Sequence, residues 1–191
     1  MKELKLTLII IFFYFFFINI AHPNIKEKII NKLEETKTLS FNFIQKIAEK
    51  EERGNCYIKY PLLMKCNYQN AKQKILISNG NTVAIIKKKY KKIYYYPIRA
   101  TPLFTILDKE KILNLIKHND PHNNRPGIIT FEFFDKKLNK LKIFFDKNSL
   151  EFKGWETKDA YSNNVIFTII DLKTNKVMKN QFFTIPKEED L

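Results

Sequence analysis

Glycine is nearly absent, with four residues among 191. That scarcity excludes a glycine-rich phosphate loop, whose backbone must approach an anion with no side chains in the way. Histidine is equally thin. His22 stands near the end of an apolar leader, and His118 and His122 fall in one expected loop, so no helix-spaced pair of zinc ligands forms. No nucleophile sits beside a base, no carboxylate pair stands out, and the acidic residues are scattered among lysines as solvated pairs. The chain is therefore read as a protein that is not an enzyme, with no catalytic residue, no metal and no cofactor. Arginine is scarce as well, which together with export argues against the nucleic acid partner that a net charge of +14, from 34 basic and 20 acidic residues, would otherwise invite. The same charge is better used in attraction to anionic lipid headgroups, or simply as solvated surface. No repeat or low-complexity linker divides the chain. No cysteine stands at a lipobox position after the leader, so no lipid anchor of its own is expected. The two cysteines, Cys56 and Cys66, lie ten residues apart across an expected turn. An oxidising compartment permits a bridge between them, and two buried free thiols are the alternative.

What the chain does have begins at its first residue. MKELK is followed by LTLIIIFFYFFFINIA, a basic tip joined to an apolar run that ends near Ala21, the build of a secretory signal. The expected organisation is a signal peptide over residues 1–21 and a single domain over 22–191, folded outside the cytoplasm. An uncleaved anchor is the alternative, because a membrane-spanning helix needs about 20 apolar residues and Leu4 to Ala21 approaches that length.

Beyond the leader, Ile25, Ile29, Ile30 and Leu33 recur at helical spacing and predict an amphipathic helix from Pro23 to Leu39. From Phe41 the period shortens to two. Phe41, Phe43, Cys56, Ile58, Tyr60, Met64, Cys66 and Tyr68 read as half-buried antiparallel strands. Ile75 to Ile77, the turn around Asn79-Gly80 and Thr82 to Ile86 form a hairpin. Lys87 to Lys92 is expected as an exposed turn. Thr101 as cap and Pro102 at the first turn open a short helix in which Leu103, Ile106 and Leu107 share a face. Ile112 to Lys117 is compatible with helix or strand, and His118 to Gly127 reads as a loop. Four evenly spaced bursts then follow, Ile128 to Phe134, Leu141 to Phe145, Leu150 to Thr157 and Val165 to Leu172, the mark of a meander that must curl while helices cover what it leaves open. The acidic tail from Lys187 to Leu191 is expected to fray. The supply of aromatic and aliphatic side chains suits either a filled core or a greasy cavity, and pattern alone does not choose.

Several stretches taken in order carry a resemblance. They are Phe43-x-Gln45, Gly54-Asn-Cys-Tyr57-Ile58-Lys59-Tyr60-Pro61 through Met64 and Tyr68, Ile75 to Gly80, Tyr94-Tyr-Tyr96-Pro97, Thr101-Pro102-Leu103, and Gly154-Trp155-Glu156 with Asp159. In series, from about Leu33 to Leu172, they resemble the outer-membrane lipoprotein carrier family, LolA.

The resemblance implies a mainly β (α+β) fold: an incomplete antiparallel β-barrel with helices covering a hydrophobic cavity. It implies a periplasmic chaperone, expected to be a monomer, that takes lipoprotein acyl chains from an inner-membrane ABC transporter and hands them to the outer-membrane acceptor LolB where one is present. A periplasmic lipid- or glycolipid-binding or lipoprotein-sensing module of the same fold is the alternative. The implied cavity and lid residues are Leu33, Phe43, Ile58, Tyr60, Met64, Cys66 and Tyr68, with Leu103, Phe104, Ile106 and Leu107 on the lid. One position departs from the family, which has Arg immediately before the Pro of the strand-to-strand turn, where this chain has Tyr60. A tyrosine can donate a hydrogen bond but supplies neither the fixed charge nor the fork of a guanidinium.

Overall fold

The computed structural model describes residues 24–134, 140–159 and 161–191, so the expected signal peptide and its cleavage region lie outside the described residues. The chain begins with helix α1 (Ile25–Glu35), closed at its start by a capping box. Asn24 accepts from the Lys26 amide while the Glu27 carboxylate accepts from the Asn24 amide. The helix is shorter than its periodicity suggested. Thr36 ends it, with its hydroxyl donating to the Lys32 carbonyl at 2.8 Å, and the alternation of Leu39, Phe41 and Phe43 takes over at Thr38.

Six strands follow: β1 (Thr38–Ile47), β2 (Lys50–Lys59), β3 (Leu63–Tyr68), β4 (Lys74–Asn79), β5 (Thr82–Lys87) and β6 (Lys92–Pro97). Each pairs antiparallel with the one before it. The lysine run makes the expected exposed turn between β5 and β6. Two helices come next, α2 (Leu103–Ile106) and α3 (Lys109–His118). The Thr101 hydroxyl donates to the Ile98 carbonyl instead of capping α2, which starts from Pro102 with no side-chain cap. The undecided segment Ile112 to Lys117 is helical because Asp108 caps α3 by accepting from the Lys111 amide, and its apolar stripe, Ile112, Leu113 and Ile116, is buried.

The last five strands are β7 (His122–Arg125), β8 (Ile128–Phe134), β9 (Lys140–Asp146), β10 (Phe152–Lys158) and β11 (Asn164–Thr174). The stretch expected as a loop thus contains a short strand. β7 pairs with β8, whose backbone groups would otherwise face solvent unpaired. β11 returns to pair with β1, giving the order β6-β5-β4-β3-β2-β1-β11-β10-β9-β8-β7. This is a curled meander that does not close. Its free ends, β6 and β7, are consecutive in the chain, and the segment between them carries α2 and α3.

One face of the sheet packs with the three helices around a single large apolar cluster. A bulge between Phe152 and Gly154 lets Phe152 and Trp155, three residues apart, both face this interior. Gly154 adopts φ +134° there, and a Cβ would stand 1.9 Å from the Phe167 carbonyl oxygen, so no other residue fits. The opposite face carries a smaller cluster of Ile77, Ala84, Ile86 and Ile93, against which Ile185 and Leu191 pack. The expected fraying of the tail is therefore corrected. Leu191 docks on the sheet, and the Glu188 carboxylate accepts the outward Ile93 amide of edge strand β6 at 2.9 Å.

Candidate functional site: the apolar interior and its helical cover

The inner face of β1 to β3 presents Phe43, Ile58, Met64, Cys66 and Tyr68, every second residue of its strand, and α1 sets Leu33 against them. Ile106 and Leu107 close over the same cluster with no exposed surface, whereas Leu103 and Phe104 are partly exposed. The residues singled out in the sequence are thus brought together, with Tyr60, Leu103 and Phe104 at the margin. Among the described residues they do not enclose the expected hollow. Their side chains fill the space between sheet and helices, as apolar groups do when water is the only alternative occupant. A shallow open cleft lies to one side, between α1, the β9–β10 turn and β11. Ile29, Leu33, Leu39, Phe145, Phe152 and Leu172 line it, and Lys32 and Glu151 stand at its mouth 3.6 Å apart.

Five residues of this interior escaped the sequence reading of the site. Phe43 stacks on Phe167 at 4.6 Å, and Phe167 on Trp155 at 4.1 Å. The row continues through Phe152 and Phe145 to Phe131, each ring 5.8–6.0 Å from the last, and Tyr68 extends it at the other end, 4.9 Å from Phe43. Aromatic rings therefore cross from β3 to β8. Gly54 makes this possible on β2, where a Cβ would collide with the Phe43 ring at 2.8 Å. The signal available in the sequence was that each of the last four strands carries at least one aromatic residue.

Cys56 and Cys66 face each other directly across β2 and β3, with Cα atoms 4.1 Å apart, and are bridged. The free-thiol alternative is thereby excluded. Next to the bridge, the Tyr68 hydroxyl donates to Gln45 Oε1 at 2.7 Å inside the core. The Lys74 ammonium lies 3.7 Å from the Tyr68 ring centroid and pairs with Glu52. Burial pushes the Lys74 pKa down, an effect that the Glu52 carboxylate opposes.

The cover is held through the backbone. The Leu62 amide donates to the Leu107 carbonyl at the end of α2 at 2.8 Å, and the Ser78 hydroxyl donates to the Leu62 carbonyl at 2.6 Å. Arg99 and Lys111 each lie 4.9 Å from the ring centroid of Phe104. Tyr60 takes no part in these bonds. Its hydroxyl oxygen is sealed from water and finds no partner among the described residues.

Burial raises the pKa of both the Tyr60 and Tyr68 hydroxyls, and the Glu52 charge adds to the rise for Tyr68. In each case folded stability is unaffected by the group's titration below the unfolded value of about 10 and falls as pH rises above it. The two differ at neutral pH. Tyr60→Phe removes an unpaired donor and is expected to leave stability unchanged or raise it by up to about 1 kcal/mol. Tyr68→Phe orphans Gln45 and is expected to cost about 1–2 kcal/mol. Urea unfolding of the two variants measures the contrast, and equal midpoints would mean that Tyr60 has a partner after all.

Residues 34–186 match the family described as outer membrane lipoprotein carrier protein LolA. The chain belongs to the LolA family. Among solved structures, an uncharacterized conserved protein from Thermus thermophilus superposes with a TM-score of 0.51 at 9% identity, covering 84% of this chain and 93% of that one, a likeness of fold. A LolA superfamily protein from Nitrosomonas europaea gives 0.42 at 8% identity, covering 84% and 97%. MucB from the Pseudomonas aeruginosa MucA/MucB complex gives 0.47 at 9%, covering 85% and 62%. No protein of curated function matches the sequence. Among the described residues, no helix is long and apolar enough to cross a membrane, and no cluster of His, Cys, Asp and Glu is placed to hold a metal ion. In this chain the hydrogen bond between the turn that holds Tyr60 and the cover runs from the neighbouring Leu62 backbone.

Proposed function

We propose that this LolA-family chain is a periplasmic lipoprotein carrier: it shelters acyl chains after their release from an inner-membrane ABC transporter and delivers them towards the outer membrane, to LolB where that acceptor exists. The observation that carries this reading is an apolar interior covered by a four-residue helix with one backbone tether to the β2–β3 turn. Burying a methylene is worth about 0.8 kcal/mol, so a multiply acylated cargo must be covered to cross water. Entry then consists of α2 lifting and acyl chains taking the place of Ile106 and Leu107 against Phe43, Ile58, Met64, the Cys56–Cys66 bridge and the aromatic row. Leu33, Tyr60 and Tyr68 stand at the boundary of that space, and Leu103 and Phe104 travel with the cover. The chemistry asked of the site is burial and release, which needs no catalytic group, cofactor or metal. The apolar leader fits export, with residues 22–191 as the working monomer.

The test is release from inner-membrane vesicles carrying the cognate transporter, a lipoprotein substrate and ATP. A soluble complex of one carrier with one lipoprotein is expected. Retention of all lipoprotein in the vesicles would reject the reading. Native mass spectrometry of the protein from its own periplasm separates lipoprotein from lipid or glycolipid cargo by mass. Sequencing its N-terminus should find the leader removed, and an intact Met1 would be incompatible with a free carrier.

A further inference from the structure

At one free end of the sheet, β4, β5 and β6 set three cross-strand rows on the inner face. Lys74, Lys87 and Lys92 stand opposite one another in the first row, Leu76, Ile85 and Tyr94 in the second, and Ser78, Val83 and Tyr96 in the third. Like charges directly opposite one another destabilise a strand pair, and in this row only Lys74 has a carboxylate partner. The turn beyond the row adds exposed Lys88, Lys89, Tyr90 and Lys91. None of the five lysines between Lys87 and Lys92 enters an ion pair among the described residues.

The tyrosines beside them are open to solvent: Tyr90 in the turn, Tyr94 and Tyr96 on the inner face and Tyr95 on the outer expose between 43% and 54% of their surface. The outer face of the same strands is different, because the tail packs Ile185 and Leu191 on it. Of the acidic side chains close to the wing, Glu188 is engaged there with the Ile93 amide and Glu52 with Lys74. The lysine turn and the β6 tyrosines of the inner face are left basic, aromatic and exposed, while Ser78 and Val83 of the third row are buried.

We propose that the β4–β6 wing is a peripheral docking surface for a bilayer containing anionic phospholipid. Tyrosine suits the headgroup level, where its ring is shielded and its hydroxyl stays wet. Each lysine near an anionic leaflet raises affinity by about five-fold, and five of them supply the attraction that a lone aromatic strip lacks. The charge sign selects anionic over zwitterionic lipid. β6 leads through Ile98–Ala100 directly into α2, so docking brings the cover of the apolar interior close to the bilayer surface.

The experiment is co-sedimentation of the exported chain, from residue 22, with vesicles of phosphatidylcholine alone and of an equimolar mixture with phosphatidylglycerol. Neither contains lipoprotein, so the outcome is independent of the cargo reading. Two triple variants make the same change in net charge: Lys88→Glu/Lys89→Glu/Lys91→Glu at the wing, and Lys147→Glu/Lys158→Glu/Lys173→Glu at exposed sites on other strands and turns. Binding is expected to the mixed vesicles only and to fade in high salt. The wing variant should weaken it by about 100-fold and the distant variant far less. Tyr94→Ser/Tyr96→Ser should weaken binding without changing its salt dependence. All these residues are exposed, and matching thermal melts verify that each variant is folded. Equal losses in the two triple variants would mean that only net charge matters and would overturn the proposal. So would equal binding to both vesicle types, or none to either.

Discussion

In a chain carrying Ile106→Glu, lipoprotein release is expected to fall by about 100-fold or more while the sheet remains folded. Ile106 has no exposed surface, and an isolated carboxylate at such a place costs several kcal/mol. The chain has two ways to avoid that cost: protonate and unfold, or move the helix outward. α2 is four residues long and tied at its end by the Leu62-to-Leu107 hydrogen bond. Lifting it exposes Ile106 and Leu107 at about 2 kcal/mol each, below the roughly 5–15 kcal/mol of global unfolding. The carboxylate therefore holds the cover open and leaves acyl chains unshielded. Far-UV circular dichroism should keep its strand signal, a hydrophobic dye should bind where it did not before, and the soluble lipoprotein complex should disappear. Ile106→Val retains an apolar side chain at the same place and should release normally. Native release by the Glu variant would remove α2 from the mechanism.

The second large effect concerns the Cys56–Cys66 bridge. Chain-entropy arguments assign about 2–3 kcal/mol to a cross-link closing a loop this short. A Cys56→Ala/Cys66→Ala chain is therefore expected to lose about 2–3 kcal/mol in urea unfolding. Both cysteines are fully buried between Phe41, Ile58 and Met64, so the two small apolar replacements leave no buried polar group unpaired. The bridge ties the two strands at whose joining turn Leu62 holds α2, so the same variant should also weaken cargo retention. An unchanged urea midpoint would show that β2 and β3 are held in register without the bridge.

The strands were readable because their alternation is regular. Phe41-x-Phe43, Cys56-x-Ile58 and Met64-x-Cys66-x-Tyr68 place themselves on one face whatever the rest of the chain does. Elements fixed by distant partners were not readable. β7 exists because β8 needs a neighbour, and nothing in His122-Asn-Asn-Arg125 announces a strand. The tail docks because β6 leaves the Ile93 amide facing outward 95 residues earlier in the chain. At the site, the lid and strand residues came from the order of motifs. The aromatic row needed the register between β1, β11 and β10, which sets Phe167 beside both Phe43 and Trp155. Whether the interior was hollow or full could not be read either, since the same apolar side chains serve both and only packing decides.

The unpaired ends of the sheet bear on how a full interior could accept a guest. A barrel stitched all the way round has a girth set by its bonds, and widening it means breaking some of them. Here β6 and β7 are not joined, and the segment between them includes the short helix α2. The wall can flatten or tighten through strand twist alone, with every rung of its ladder intact, so the room inside follows whatever occupies it. Under the proposed function, such a vessel would set no sharp upper limit on the length of an acyl guest.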